Sequence, residues 1–153
     1  MKSSTGKASV FTGSLVILAI SGLHIYFIFA GPEIYRFFGA GEKLASMLES
    51  GSVIPTISTF VLAIVFALFA VYGLALAGFI KELPFQKQVV LAVSIIFILR
   101  SLLMLKLLAD PENVPLQMIL FSLVALLVGL LYLHGWLELR NSTKSAIQTA
   151  GCR

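Results

Sequence analysis

The chemistry of this sequence is concentrated at Arg100, a cation inside the apolar run IIFILRSLLMLKLLADPEN, Ile95–Asn113. Arginine stays protonated in proteins, so inside such a run it needs an anion, polar acceptors or water around it. Its guanidinium suits a carboxylate, a phosphate group or a polarised carbonyl. Lys106 is different, because it can reach the headgroups by snorkelling or meet Asp110 one helical turn further on.

The composition identifies the solvent around Arg100. Of the 153 residues, 59% are hydrophobic and 12% are charged, whereas about a quarter of the residues of a soluble domain are charged. A chain this short cannot bury so much apolar surface inside itself. A lipid bilayer is the phase that can accept it, so the sequence predicts an integral membrane protein.

Four apolar runs are long enough to cross the roughly 30 Å hydrocarbon core as helices. They cover about 10–30, 53–80, 88–109 and 116–137. Their unbroken apolar character excludes barrel strands, which would alternate. We therefore predict an all-α, integral membrane four-helix bundle that forms one domain over residues 1–153.

The longest connection, residues 31–52, is predicted to form a short amphipathic outer loop between the first two spans. Pro32 suits the first position of a short helix, which Gly39 and Gly41 would interrupt. In Glu42–Glu49 the apolar residues recur at helical spacing; they are Leu44, Met47 and Leu48. We expect one or two short helices that lie on the outer surface or cap the bundle.

Lysine and arginine flank the spans unequally, which predicts the orientation. The amino-terminal segment, the turn after the second span and the carboxyl-terminal tail carry most of these residues. Both termini are therefore expected in the cytoplasm. The net charge of +4 favours contact with membrane lipids that are anionic and gives no indication of nucleic acid. Tyr132, His134 and Trp136 are expected in the aromatic belt at the inner interface.

No Asp or Glu lies in the central part of any span, so Arg100 must find other partners. The candidates gather in the outer half of the predicted bundle: His24, Glu42, Thr56, Thr59 and Ser122. The functional hypothesis is an outward-facing polar pocket, with Arg100 and His24 at its base, for a small anionic or lipidic ligand. The structural alternative is that Arg100 pairs with Glu42 and pins the loop to the bundle. His24 would then make an interhelical hydrogen bond, and Glu42 alone could simply be exposed.

Small residues form a stripe along the second span: Ala63, Ala67, Ala70, Gly73 and Ala77. Small faces let membrane helices approach closely. The stripe therefore predicts either the interior of the bundle or a face for a homo-oligomer or a membrane protein partner. The second possibility would make the chain a structural or accessory membrane subunit.

The sequence contains no cluster with metal-ligand spacing and no recognised catalytic or cofactor motif. We therefore expect no metal and no cofactor. A non-enzymatic protein is favoured over a membrane-embedded enzyme acting on a lipid or quinone.

The segment Gly39–Pro84 resembles a group of small uncharacterised bacterial inner-membrane proteins with four predicted helices. The likeness consists of a GAGE segment (residues 39–42) before the second span, a Tyr72-Gly73-Leu74 stretch leading to Ala77-Gly78, and Arg100 in the third span. It covers about half the chain and implies no activity. It does imply a multi-pass protein of the plasma (inner) membrane.

Overall fold

The computed structural model describes residues 2–38, 42–107 and 116–150, with side chains described over 4–38, 42–103 and 116–141. These residues form six helices and no strand, which confirms the all-α prediction. The helices are α1 (Lys2–Ala30), α2 (Pro32–Phe37), α3 (Glu42–Glu49), α4 (Ile54–Ala77), α5 (Gln86–Leu107) and α6 (Leu116–Ala150).

Four of these helices, α1, α4, α5 and α6, are long and apolar enough to cross a membrane. They coincide with the four predicted spans, so the chain is a multi-pass membrane protein. The helices α1 and α6 continue well beyond the predicted limits, to Lys2 and Ala150. Hydropathy marks only the part of a helix that crosses hydrocarbon, whereas helical hydrogen bonds can continue into the interface.

The four long helices form a ring in which α1 packs on both α4 and α6, and α6 packs on α5. The contact between α4 and α5 is the least extensive of the four. The first part of α1 and the last part of α6 lie at one end of the ring, where Ser9 Oγ lies 3.1 Å from His134 Nδ1. We call this the terminal end, and the opposite end, which carries α2 and α3, the loop end.

The helices approach most closely at small residues. Ala63, Ala70, Gly73 and Ala77 are buried and Ala67 is half-buried, so the small-residue stripe of α4 lies in the interior of this chain. A Cβ at Gly73 would meet the hydroxyl groups of Ser14 and Tyr132, and a Cβ at Gly135 would meet Val10. Close approach of this kind is the main source of helix association in lipid.

The loop end has the amphipathic character predicted for it. Pro32 opens α2. In α3, Leu44, Met47 and Leu48 are half-buried, whereas Lys43, Ser46 and Glu49 are exposed. The predicted breaks at Gly39 and Gly41 lie outside the described residues. Tyr35 is buried against the bundle, so α2 caps the loop end.

Candidate functional site

Arg100 lies in the loop-end half of α5, roughly 21 Å along a helix roughly 33 Å long. The residues on either side of it differ in burial: Phe97 and Ser101 are buried, whereas Leu99 and Leu103 are exposed. Arg100 itself is exposed, so its side chain leaves the bundle at the flank of α5. Among the residues whose side chains are described, none forms a hydrogen bond or ion pair with its guanidinium. The prediction that neighbouring helices shelter Arg100 therefore does not hold.

Glu42, the predicted carboxylate partner, binds another arginine. Its two carboxylate oxygens accept hydrogen bonds from Arg36 Nε at 2.9 Å and Arg36 Nη2 at 2.8 Å. Glu33 and Glu49 bind the same guanidinium through Nη1, at 2.7 Å and 2.9 Å. Hydrogen bonding to Arg36 lowers the pKa of the Glu42 carboxyl below its ordinary value. The sequence reasoning missed Arg36, although its three-residue spacing from Glu33 is a recognisable helical ion-pair signal.

The other predicted site residues are also engaged away from Arg100. The His24 Nδ1–H donates to the carbonyl of Ile20 at 2.8 Å. Ser122 Oγ donates to the carbonyl of Met118 at 2.8 Å. Tyr35 Oη lies 3.0 Å from Thr59 Oγ1, and Thr59 is buried beneath it. The structure therefore does not bring the predicted polar residues together around Arg100.

Aromatic rings occupy the space in which the polar pocket was expected. Phe38 lies 4.4 Å from Phe27 and 4.9 Å from Phe121, measured between ring centroids. The His24 ring lies 5.0 Å from Phe66. The first two contacts join α1 and α6 to the end of α2, and the third joins α1 to α4. Among the described residues, apolar rings rather than polar side chains therefore pack together beneath α2.

Thr56 lies elsewhere, in a groove on the outer side of α1 and α4. The groove has a volume of about 330 Å³. It is lined by Ile25, Ile28, Phe29, Thr56, Ile57 and Phe60. Its surface is apolar and faces the membrane, so it resembles the rest of the lipid-facing surface more than a polar site.

The burial pattern of α4 and α5 indicates a second opening, between these two helices. Phe66 and Phe97 pack against each other with ring centroids 6.1 Å apart. Leu62 and Ser58 continue the stripe of Phe66 at four-residue spacing, yet both are exposed. Since positions four apart share a helix face, α4 and α5 diverge beyond the Phe66–Phe97 contact. We call this opening the α4–α5 seam, defined by Ser58, Leu62, Phe66, Phe97 and Arg100.

The seam is closed toward the terminal end. Leu76 of α4 and Val90 and Val93 of α5 are buried in the same hydrophobic core. Arg100 lies about one helical turn beyond Phe97, whose contact with Phe66 marks the closed end of the seam. Of the five residues that define the seam, Arg100 is the one with a charge and Ser58 is the other polar one.

Tyr132 was predicted at the membrane interface, and the structure corrects this. Its side chain is fully buried. Tyr132 Oη lies 2.9 Å from Ser14 Oγ and 3.2 Å from the carbonyl oxygen of Phe69. This polar node joins α1, α4 and α6 in the bundle interior. The signal in the sequence that could have indicated this node was the presence of small residues, Ser14 in the first span and Gly73 in the second.

Lys106 and Asp110, the predicted interfacial pair, lie outside the residues whose side chains are described. Within the described part of the chain, no group of three His, Cys, Asp or Glu residues could hold a metal ion. In comparisons with known proteins, no family model, no curated protein and no solved structure matched the chain.

Proposed function

We propose that this membrane protein binds a small anionic or lipidic ligand at Arg100, in the α4–α5 seam, without a catalytic step. The protein would lie in the plasma membrane, with both termini in the cytoplasm and the loop end outside. This orientation follows from the excess of lysine and arginine in the terminal segments and the α4–α5 connection. The ligand would then bind in the outer half of the bilayer.

The observation that carries the proposal is the exposed position of Arg100 in a membrane-spanning helix. A cation facing hydrocarbon costs several kcal/mol, and such residues usually mark functional contacts. An anionic group beside the guanidinium would offset this cost through charge-assisted hydrogen bonds. The α4–α5 contact is the least extensive in the ring, so the ligand can enter laterally.

The alternative function, an accessory subunit that oligomerises through small-residue faces, has less support. The small residues of α4 are largely buried against other helices of the same chain. A partner protein would therefore have to bind another surface. The face around Arg100 is a candidate, because its exposed charge would be stabilised by an anionic group.

Photocrosslinking in native membranes tests the proposal. A photoreactive amino acid replaces Leu62, which lies in the seam, or Leu68, which is similarly exposed on the other side of α4. We expect an anionic amphiphile to be captured at position 62 and not at position 68. Its capture should be lost when Arg100→Gln is added, because the anchoring charge is gone.

Three results would overturn the proposal. They are the same adducts at both positions, capture at position 62 that persists with Arg100→Gln, and capture of a protein instead of an amphiphile. The last result would favour the accessory-subunit alternative. Mass spectrometry of the adducts separates these outcomes.

A further inference from the structure

We infer that the ligand of the α4–α5 seam is a long-chain carboxylic acid that enters from the outer leaflet. The inference rests on the proposed function and narrows it to one chemical class. It depends on the depth of Arg100, on the closed base of the seam and on the cost of moving charge through hydrocarbon.

The depth of Arg100 decides where the anionic group must stop. The Cα of Arg100 lies roughly 13 Å below the outer limit of the predicted span, taking the helical rise per residue. Snorkelling brings the guanidinium nearer to the headgroups. The ligand's anion must still descend below the level at which phospholipid phosphates lie.

The seam offers no second polar group at the depth of Arg100. The hydroxyl of Ser58, nearer the loop end, donates to the carbonyl of Ile54 at 2.8 Å. Leu62 and the Phe66–Phe97 pair supply only apolar surface. Among the described side chains, Arg100 is thus the single recognition element of the seam, and it suits a ligand with one small anionic group and an apolar chain.

The cost of reaching this depth distinguishes carboxylic acids from phosphates. Transfer of a charged group into hydrocarbon is far more costly than transfer of the same group in neutral form. A carboxylic acid can take up a proton at the surface, move as the neutral acid, and ionise beside the guanidinium, which stabilises the carboxylate. The proton returns to water. A phosphate monoester carries about 1.5 to 2 negative charges at neutral pH, more than one guanidinium offsets, so it should bind less tightly at this depth.

The closed base fixes the direction of the chain. Leu76 of α4 and Val90 and Val93 of α5 are buried in one hydrophobic core, so we expect no room for the apolar chain inside the seam toward the terminal end. It must lie along Leu62 or leave the seam laterally into the acyl region. The carboxylate therefore marks the deep end of the bound ligand, with the chain running outward or sideways.

Binding of matched amphiphiles to the full-length protein in phosphatidylcholine nanodiscs tests the inference. The probes are palmitic acid, its methyl ester and hexadecyl phosphate, which share one chain and differ in the head. We expect palmitic acid to bind most tightly. Arg100→Gln should weaken it about tenfold to a hundredfold, because a charge-assisted bond is lost.

Two matched variants serve as controls. Lys87→Gln removes an exposed cation at the other end of α5 and should leave binding unchanged. Leu62→Trp fills the seam and should weaken binding, whereas Leu68→Trp, on the far side of α4, should not. All variants lie at exposed positions, so folding is expected to be retained, and helical circular dichroism checks this.

The outcomes separate the two claims. Tighter or equal binding of hexadecyl phosphate, with loss in Arg100→Gln, would refute the carboxylic acid class and leave the proposed function standing. Two results would overturn both the carboxylic acid class and the proposed function. One is that the methyl ester binds as tightly as palmitic acid, and the other is that neither Arg100→Gln nor Leu62→Trp changes the binding of palmitic acid. Binding of none of the probes would also overturn both.

Discussion

Gly73 lies where a methyl group has no room. A Cβ at this position would meet the hydroxyl groups of Ser14 and Tyr132 and lie 2.8 Å from the Tyr132 ring carbon Cζ. These atoms belong to the polar node at which three helices meet, so they cannot move without breaking hydrogen bonds between α1, α4 and α6. The residue type at position 73 is therefore set by the packing of its neighbours.

Gly73→Ala should lower the free energy of unfolding by about 1–3 kcal/mol, the usual range for an overpacked core. The measurement is equilibrium unfolding of the purified protein in mixed micelles. Gly22→Ala is the matched control, because Gly22 has no atom near its missing Cβ. A variant at position 73 as stable as the control would show that the node can relax.

The residue scale also shows where sequence reasoning stops. Arg100 could be identified from its charge within an apolar run, but the direction of its side chain could not. Successive residues of a helix differ by about 100°, so the same arginine faces core or lipid according to how α5 packs on α4 and α6. Glu42 pairs with Arg36, which is close to it in the sequence, and not with the distant Arg100.

At the scale of elements, one guanidinium links α2 to α3 at the loop end. Arg36 of α2 binds Glu42 and Glu49, the first and last residues of α3, and Glu33 within its own helix. All three carboxylates are substantially exposed, so salt will weaken these pairs. Arg36 therefore contributes to the position of α3 relative to α2, beside the packing of the buried Ala45 and its half-buried apolar neighbours in α3.

Arg36→Gln should increase amide hydrogen exchange in α3 while exchange in α4 stays slow. The reason is that three carboxylates would then lie together without a counter-charge. Hydrogen exchange measured by mass spectrometry, segment by segment, gives the result. Lys43→Gln, which removes an exposed cation from α3 itself, is the control, and an equal effect of both variants would contradict the role of Arg36.

The same link should weaken in acid. The pKa of Glu42 is lowered from an ordinary value of 4.5 by its hydrogen bonds to Arg36. Its contribution to stability is therefore complete above pH 4.5 and is lost as the pH falls through the lowered pKa. Exchange in α3, corrected for its intrinsic pH dependence, should rise over that interval in the wild type. An unchanged profile would argue against the link.

Element by element, the sequence predicted the spans better than it predicted the helices. The limits of α4 and α5 fall within a few residues of the predicted spans, since both helices end close to the apolar run. The extensions of α1 and α6 were not predicted, because the spans were drawn where the apolar runs end. Polar residues end an apolar run, but they can continue a helix. The packing of aromatic rings beneath α2 was not predicted, since phenylalanine is common throughout these spans and does not mark one place.

For the whole molecule, an even number of spans places both termini on one side. The structure shows the two terminal segments in contact, with Ser9 Oγ near His134. The side on which they lie is proposed from charge alone. The chain contains one cysteine, Cys152 in the tail, which makes the orientation testable without a tag.

A membrane-impermeant maleimide should label Cys152 in intact cells only after the membrane is permeabilised. In the complementary variant, Cys152→Ser with Ser50→Cys, labelling should occur directly, because exposed Ser50 lies at the loop end. The opposite pattern would place the termini outside. It would also move the seam to the inner leaflet.

The limited contact between α4 and α5 has a further consequence for assembly. The ring divides into an amino-terminal hairpin, in which α4 pairs with α1, and a carboxyl-terminal hairpin of α5 and α6. The two hairpins adhere mainly where α1 meets α6, at the glycines near the terminal end. Severing the backbone in the exposed connection at Pro84 would therefore leave two fragments, each able to insert alone and then to recognise the other within the bilayer.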